Sequence, residues 1–417
     1  MLSAFVVFFV SALGAIVLTY APRSIAKEIP KDRHYLFVTT YLLCMCGLLG
    51  IAITGDLFNL FVFLEISALS SYALISQGGH RRSLTAAFRY LVMGTIGATF
   101  ILIGIGLMYQ MTGTLNMIDM AERIKESEGL RTILVASGFL TVGIMIKMAL
   151  FPLHAWMPNA YTFAPSVVTA FIAATATKVS VYILLRFVFT IFGAQFAFHT
   201  LPLDAILMPL ALFAIFAMSL VAIFQTNLKR LLAYSSLAQI GYMVLGISFA
   251  SVTGLTGAIV HLFNHAITKG GMFMAVGCIA LRLNSVELKD LRGIGRRMPV
   301  TMFLWVVGGL SLIGVPGTAG FVSKWYLIKA ALERGWWPVA VLVLLSSLLA
   351  VVYVWRFVEI AYFKQPEEDA PDIKEAPLSM LIPTCVMILV TIYFGLQTEF
   401  SAEVARDAAR ALLRSGG

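Results

Sequence analysis

Apolar runs recur along the chain at about 3–20, 34–54, 57–76, 85–110, 131–149, 163–192, 203–224, 229–250, 254–281, 299–333, 337–363 and 378–397. Most are close to the roughly 20 residues that carry a helix across a bilayer. Only helices and closed barrels can satisfy their backbone in lipid, and apolar runs of this length exclude a barrel. The pattern therefore predicts an all-α polytopic membrane protein with about twelve transmembrane helices.

Two of the runs are interrupted. In GIMIKMALFPLHAWMPNAY, Lys147 is followed by Phe151-Pro152, and the sequence turns briefly polar before it becomes apolar again at Pro165. Proline removes a backbone donor and clashes with the preceding turn, so a helix should break here at membrane depth. The run at 299–333 would reach about 50 Å at roughly 1.5 Å per residue, against a hydrocarbon core of about 30 Å. Inside it lies Gly314-Val-Pro316-Gly317-Thr-Ala-Gly320, which no regular helix accommodates, and Lys324 follows. Pro152 and Pro316 thus mark two helix breaks, each beside a lysine, the two lysines about 175 residues apart. Paired broken helices suggest two inverted repeats. The expected division is 1–84 for N-terminal helices including the Glu65 helix, 85–192 and 203–363 for the two halves, and 364–417 for the last helix and tail.

Loop charges give the sidedness. Arg23, Lys27, Lys31 and Arg33 follow the first run, and Arg81 and Arg82 the third. Lys229 and Arg230 precede the eighth, and Arg282, Lys289, Arg292, Arg296 and Arg297 follow the ninth. With twelve spans these loops share one face. The loop at 111–130, on the other face, sets Arg123 and Lys125 against Asp119, Glu122, Glu126 and Glu128. Both termini are then expected outside the cell membrane of a prokaryote. The first run has no basic segment before it, so it reads as a membrane helix rather than a signal peptide. The tail at 399–414 has the alternation of a helix lying along the membrane interface, with a solvated helix end as the alternative.

Composition agrees: of 417 residues, 60% are hydrophobic and 12% charged, with mean hydropathy +0.91. The net charge of +9 resides in short loops between apolar runs and argues for topology signals, not nucleic-acid binding. Cys44, Cys46, Cys278 and Cys385 all lie in apolar runs without a C-x-x-C pair, and Gly293-Ile-Gly295 is too short for a dinucleotide fingerprint. No cofactor or metal is expected in this chain, so any redox chemistry would belong to another subunit.

What remains is a set of ionisable groups at membrane depth. Glu65, near the middle of the third run, needs a cation or a proton; a structural ion pair is one reading, a titrating pair with Lys147 the other. Lys178 lies about fifteen residues from either end of its run, too deep to snorkel, which suits it to exchanging a proton. Lys147 and Lys324 could snorkel if they lie shallower. His261 and His265 share a helix face with Lys269, and an imidazole can donate at one nitrogen while accepting at the other. Zinc and ordinary packing are the alternatives for the two histidines.

At these residues the chain resembles the antiporter-like membrane subunits shared by respiratory complex I, Mrp-type Na⁺/H⁺ antiporters and membrane-bound hydrogenases. The resemblance runs through GDLFNLFVFLE at 55–65, KMALFPLHAWMPNAYTFAPS at 147–166, NLKRLLAYSSLAQIGYMVLG at 227–246, HLFNHAITKGGMF at 261–273, LKDLRGIGRRMP at 288–299 and PGTAGFVSKW at 316–325. GDLFNLFVFLE is most similar to the Mrp D subunit and its hydrogenase relatives. The resemblance implies that Glu65 and Lys147 match the family's glutamate–lysine pair, Lys178 its central lysine, His261 and His265 its bridging histidines, and Lys324 its terminal lysine. It also implies fourteen spans with the glutamate in the fifth; here Glu65 is in the third, so the first two helices are expected to be absent.

The expected function is ion translocation, H⁺ or Na⁺/H⁺ exchange, along these groups. The chain would act in a multisubunit Mrp-type antiporter or a hydrogenase- or sulfur-reductase-like complex. Its partners would be other antiporter-like and small Mrp-like subunits, with a peripheral redox arm in the respiratory versions. The alternatives are a proton-pumping subunit of a quinone-reducing complex, a structural subunit with an inactive path, and a stand-alone solute carrier.

Overall fold

The computed structural model describes residues 1–79, 81–126, 129–366 and 373–414. Glu128 and the side chain of Glu126, counted in the loop charges, lie outside the described residues.

Helices α1 (Leu2–Glu28), α2 (His34–Ile53), α3 (Leu57–Ser76) and α4 (Arg81–Thr112) cross in succession, and a short helix that the pattern did not predict, α5 (Met117–Glu126), fills the next connection. The first interrupted helix follows as α6 (Leu130–Lys147) and α7 (Met157–Phe163). The next crossing consists of α8 (Ser166–Ala174) and α9 (Ala176–Leu185), which winds on as a π-helix at Arg186–Ile191. Then come α10 (Leu203–Ile223), α11 (Leu228–Ser248), α12 (Val252–Leu283), a single turn α13 (Ile294–Arg297) and the second interrupted helix, α14 (Pro299–Ile313) with α15 (Ala319–Glu333). The chain closes with α16 (Trp337–Tyr362), α17 (Leu378–Leu396) and α18 (Glu399–Arg414). Among the described residues eleven helices are long and apolar enough to cross a bilayer, and α14 with α15 makes a twelfth crossing in two pieces.

The bundle is built around α12, in which every residue from Gly254 to Ile279 is buried. Packed on it are α8, α11, α14, α15, α17 and α18, while α2, α4 and α16 turn Leu42, Phe88, Leu348 and Trp355 outward. Lipid is as apolar as leucine, so close approach rather than hydrophobic burial holds such helices together. Where α4 meets α6, a Cβ on Gly143 would lie 2.7 Å from the carbonyl oxygen of Gly97, a contact only glycine permits. The tail α18 packs Ala402, Ala405, Ala408 and Ala409 against the protein, α12 and α1 included, so its apolar face meets the bundle rather than the membrane interface.

The order of devices repeats. Asp56 caps α3 by accepting from the Asn59 N–H at 2.8 Å, and it bridges to Asn116 after α4. Asn227 caps α11 by accepting from the Arg230 N–H at 3.2 Å, and it bridges to Glu287 after α12. Both α4 and α12 have 32 residues, and an interrupted helix with a buried lysine follows each. The two units point opposite ways. Lys27, Arg82, Phe163, Lys229 and Asn284 line one cavity of about 670 Å³, so one end of the bundle gathers the ends of α1, α7 and α12 and the starts of α4 and α11. The interrupted helix α6–α7 runs toward that basic face and α14–α15 runs away from it. Phe5 meets Phe400 on the opposite face, where both the N-terminus and α18 lie.

Candidate ion path

Helix α6 ends at Lys147 because the chain turns at Ala149 into the left-handed region (φ 59). The Leu150 N–H reaches back to the Met145 carbonyl at 2.9 Å, and Trp156 Nε1 donates to the Ile146 carbonyl at 2.9 Å. These bonds satisfy the last carbonyls of α6 at a depth where water cannot be counted on. Pro152 lies within the break. Lys147 Nζ donates to Glu65 Oε1 at 2.9 Å, with the lysine side chain 5% and the glutamate 25% exposed. The two side chains pair, and removing either would strand its partner.

Beyond this pair a cavity of about 30 Å³ opens between α3 and α9, with Ser67, Ser71, Lys147, Thr177 and Ser180 among otherwise mostly apolar walls that include Leu48 and Ile183. One water needs roughly 10–15 Å³ by this measure and two or more polar partners, so the cavity suits water. Thr177 then leads to Lys178, whose Nζ donates to Thr177 Oγ1 at 3.3 Å and to the carbonyl of Ala173. The interruption at Thr175, between α8 and α9, brings that carbonyl within reach. Lys178 is 1% exposed, so it faces the interior and not lipid.

Lys178 lies within electrostatic range of His261, His265 and Lys269 on α12. The two imidazoles stack with centroids 5.9 Å apart. His261 Nδ1 pairs with Ser323 Oγ at 2.7 Å, whereas His261 Nε2 and both nitrogens of His265 have no protein partner among the described residues. Buried polar atoms are ordinarily hydrogen-bonded, so these imidazole nitrogens call for water as their partner. Lys269 donates to the Leu232 carbonyl at 3.0 Å and to Ser235.

Lys324 ends the row. Its Nζ donates to the carbonyls of Leu312 at 3.0 Å and Ile313 at 2.8 Å and to Ser347 Oγ at 2.9 Å, and it stands 5.0 Å from the ring centroid of Tyr242. The two carbonyls belong to the C-terminal end of α14, where the helix dipole favours a cation. Gly314, at φ 89, permits this break, which also contains Pro316; a Cβ there would lie 2.9 Å from Lys324 Cδ. Tyr242 closes the gap to the histidines: its ring centroid is 5.5 Å from His261.

The structure thus brings Glu65 and Lys147 into direct contact. Lys178 connects to them through Thr177 and the cavity, the stacked His261 and His265 lie within electrostatic range of Lys178, and Tyr242 stands between His261 and Lys324. Sequence reasoning missed Thr177, Tyr242 and Ser323, hydroxyl groups in apolar runs that carry no signal until their neighbours are known. It also took Lys229 for a loop charge. Lys229 is buried in the first turn of α11, and Asn227, a good helix-capping residue two positions earlier, was the available sign that the helix had already begun. Among the described residues no three His, Cys, Asp or Glu side chains are grouped to hold a metal.

Residues 54–350 match the family model described as NADH:quinone oxidoreductase/Mrp antiporter, TM. NADH-quinone oxidoreductase subunit N of Desulforudis audaxviator (strain MP104C) is 43% identical over 402 residues, covering 94% of this chain and 79% of that protein. The D subunit of the Na(+)/H(+) antiporter of Bacillus subtilis (strain 168) is 29% identical over 401 residues, covering 96% and 80%. A chain of the membrane-bound sulfane sulfur reductase (MBS), an archaeal respiratory membrane complex, superposes with a TM-score of 0.87 at 32% identity, covering 99% of this chain and 82% of that one.

Proposed function

The chain belongs to the NADH:quinone oxidoreductase/Mrp antiporter family of transmembrane subunits, and from that premise we propose that it carries protons along the Glu65, Lys147, Lys178, His265, His261 and Lys324 row. The observation that supports this most directly is Lys178. It is a buried lysine without a carboxylate partner among the described residues, joined by Thr177 to a small cavity that ends on Lys147. A lysine so placed can hand a proton to, or take one from, a hydrated neighbour without breaking an ion pair. When Glu65 takes a proton or moves from Lys147, Lys147 loses the anion that held it charged, and its proton is passed toward Lys178. A change of one pKa unit takes about 1.4 kcal/mol, so small displacements of one charge switch the next.

The parent assembly is a multisubunit membrane complex, of Mrp antiporter or sulfur-reductase type, in which a redox arm or an opposing Na⁺ gradient supplies the energy. The 43% identity to a subunit N favours a second reading, a proton-pumping subunit of a quinone-reducing complex. The basic face looks into the cytoplasm of a prokaryotic cell and both termini look out. The recurring caps and bridges support drawing the two inverted halves as 34–191 and 203–362, so that the Glu65 helix falls inside the first half instead of before residue 85.

Transport by the assembled complex in proteoliposomes tests the reading. Glu65→Ala and Lys147→Ala each lower coupled transport by about 100-fold or more, the usual contribution of a positioned proton-transfer group. Full coupled transport in either variant contradicts it.

A further inference from the structure

The joint between the two lysine-bearing crossings is gripped by a pair of charges outside the row. Helix α7 ends at Phe163 and α8 starts at Ser166, with Ala164-Pro165 between them. Glu28, the last residue of α1, accepts through Oε2 from the Ser166 N–H at 2.7 Å and from the Ser166 hydroxyl at 3.2 Å. Its Oε1 accepts from Ser24 Oγ at 2.9 Å, which fixes the carboxylate. Lys229, 5% exposed, donates at 3.1 Å to the carbonyl of Ala164, the residue that caps the end of α7. An anion therefore sits at the start of α8 and a cation at the end of α7, each the sign that the helix end favours.

Both side chains line the cavity of about 670 Å³ on the basic face, where Lys27, Arg81, Arg82 and Glu287 are the other charged groups. The joint is also the mechanical link between the two lysines. From it α7 leads back to the break beside Lys147, and α8 leads forward to the interruption at Thr175. Lys178 hangs from the last turn of α8 by its bond to the Ala173 carbonyl. A shift of α8 along its axis moves that acceptor directly.

We propose that Glu28 and Lys229 are positioning residues. By holding the α7–α8 joint at both helix ends they align Lys178 between the Glu65–Lys147 pair and His265. This rests on the proton-path reading above.

The test is H⁺ transport per assembled complex in proteoliposomes, followed across pH, with Lys147→Ala as the reference for the path itself. Glu28→Gln and Lys229→Met are expected to lower the rate about tenfold, the order of equilibrium factor that a helix-end interaction controls. Glu28→Asp, which keeps the charge, recovers most of it. In Glu28→Gln the pH profile moves as well as falls, because the alignment of a titrating lysine changes; a purely structural role scales the profile down without moving it and overturns the proposal. The charge reversal Glu28→Lys with Lys229→Glu stays defective, since both charges then oppose the helix ends. Restored transport in the reversal overturns the proposal in favour of a plain ion pair. Loss in Lys147→Ala with normal rates in Glu28→Gln and Lys229→Met overturns the positioning role alone. Normal rates in all three overturn the proton path with it.

Discussion

Each ionisable side chain in the row solves the same problem, a charge in hydrocarbon, in a different way. Lys147 has a carboxylate, Lys324 has two carbonyls at a helix end, Lys178 has one carbonyl and a hydroxyl, and His265 has no protein partner among the described residues. The difference predicts different costs of removal. Glu65→Gln strands the Lys147 ammonium and should destabilise the protein by several kcal/mol, at most about 3–5, less the share that the quarter-exposed carboxylate recovers from water. His265→Leu deletes two unpaired polar atoms and fills the same space. Its stability, read as the thermal midpoint of the detergent-solubilised complex, should stay within about 1 kcal/mol of the parent while transport falls. A marked drop in that midpoint would mean that His265 is a packing residue. The carboxylate and the lysines were legible in the sequence because few things explain a charge in the middle of an apolar run. The hydroxyls were not, because serine and threonine are common in membrane helices and bond their own backbone.

At the level of the helices, the lysines of the proposed row sit where regular winding stops. The breaks at 148–156 and 314–318 and the one-residue interruption at Thr175 each free backbone or space for a lysine. Proline and glycine announced the first two, whereas nothing near Thr175 did. The second break depends on Gly314. Gly314→Ala introduces a side chain at φ 89 and sets a methyl against Lys324. A cost of about 1–3 kcal/mol is expected from the backbone alone, and Lys324 is displaced from the α14 carbonyls. The check is transport per assembled complex, which should fall further than the amount of complex does; equal falls would limit Gly314 to folding. The tail helix was legible as amphipathic but its partner was not. An apolar stripe does not say whether lipid or protein covers it.

Across the whole molecule, twelve crossings and two inverted units place basic loops on one face and both termini on the other. Single cysteines on a background lacking Cys46 and the other native thiols test the sidedness. A cysteine at Arg82 should react with an impermeant reagent only after the cytoplasmic side is opened, and one in the exposed part of α18, such as Arg410, should react in intact cells. The reverse labelling would invert the assignment of the basic face. The number of crossings was readable from run lengths alone. The matching caps and bridges at Asp56 and Asn227 were not readable, because only the folded chain brings them into register.

The continuity of the row is tested most directly at its centre. Lys178→Met keeps the length and apolar stem of the side chain, strands no counter-ion, and leaves the Glu65–Lys147 pair intact. The measurement is the number of protons moved per driving event by the assembled complex in sealed vesicles. A loss of the share carried by this chain, with the complex assembled in normal amount, is the predicted result; an unchanged stoichiometry at the unmodified rate contradicts the account.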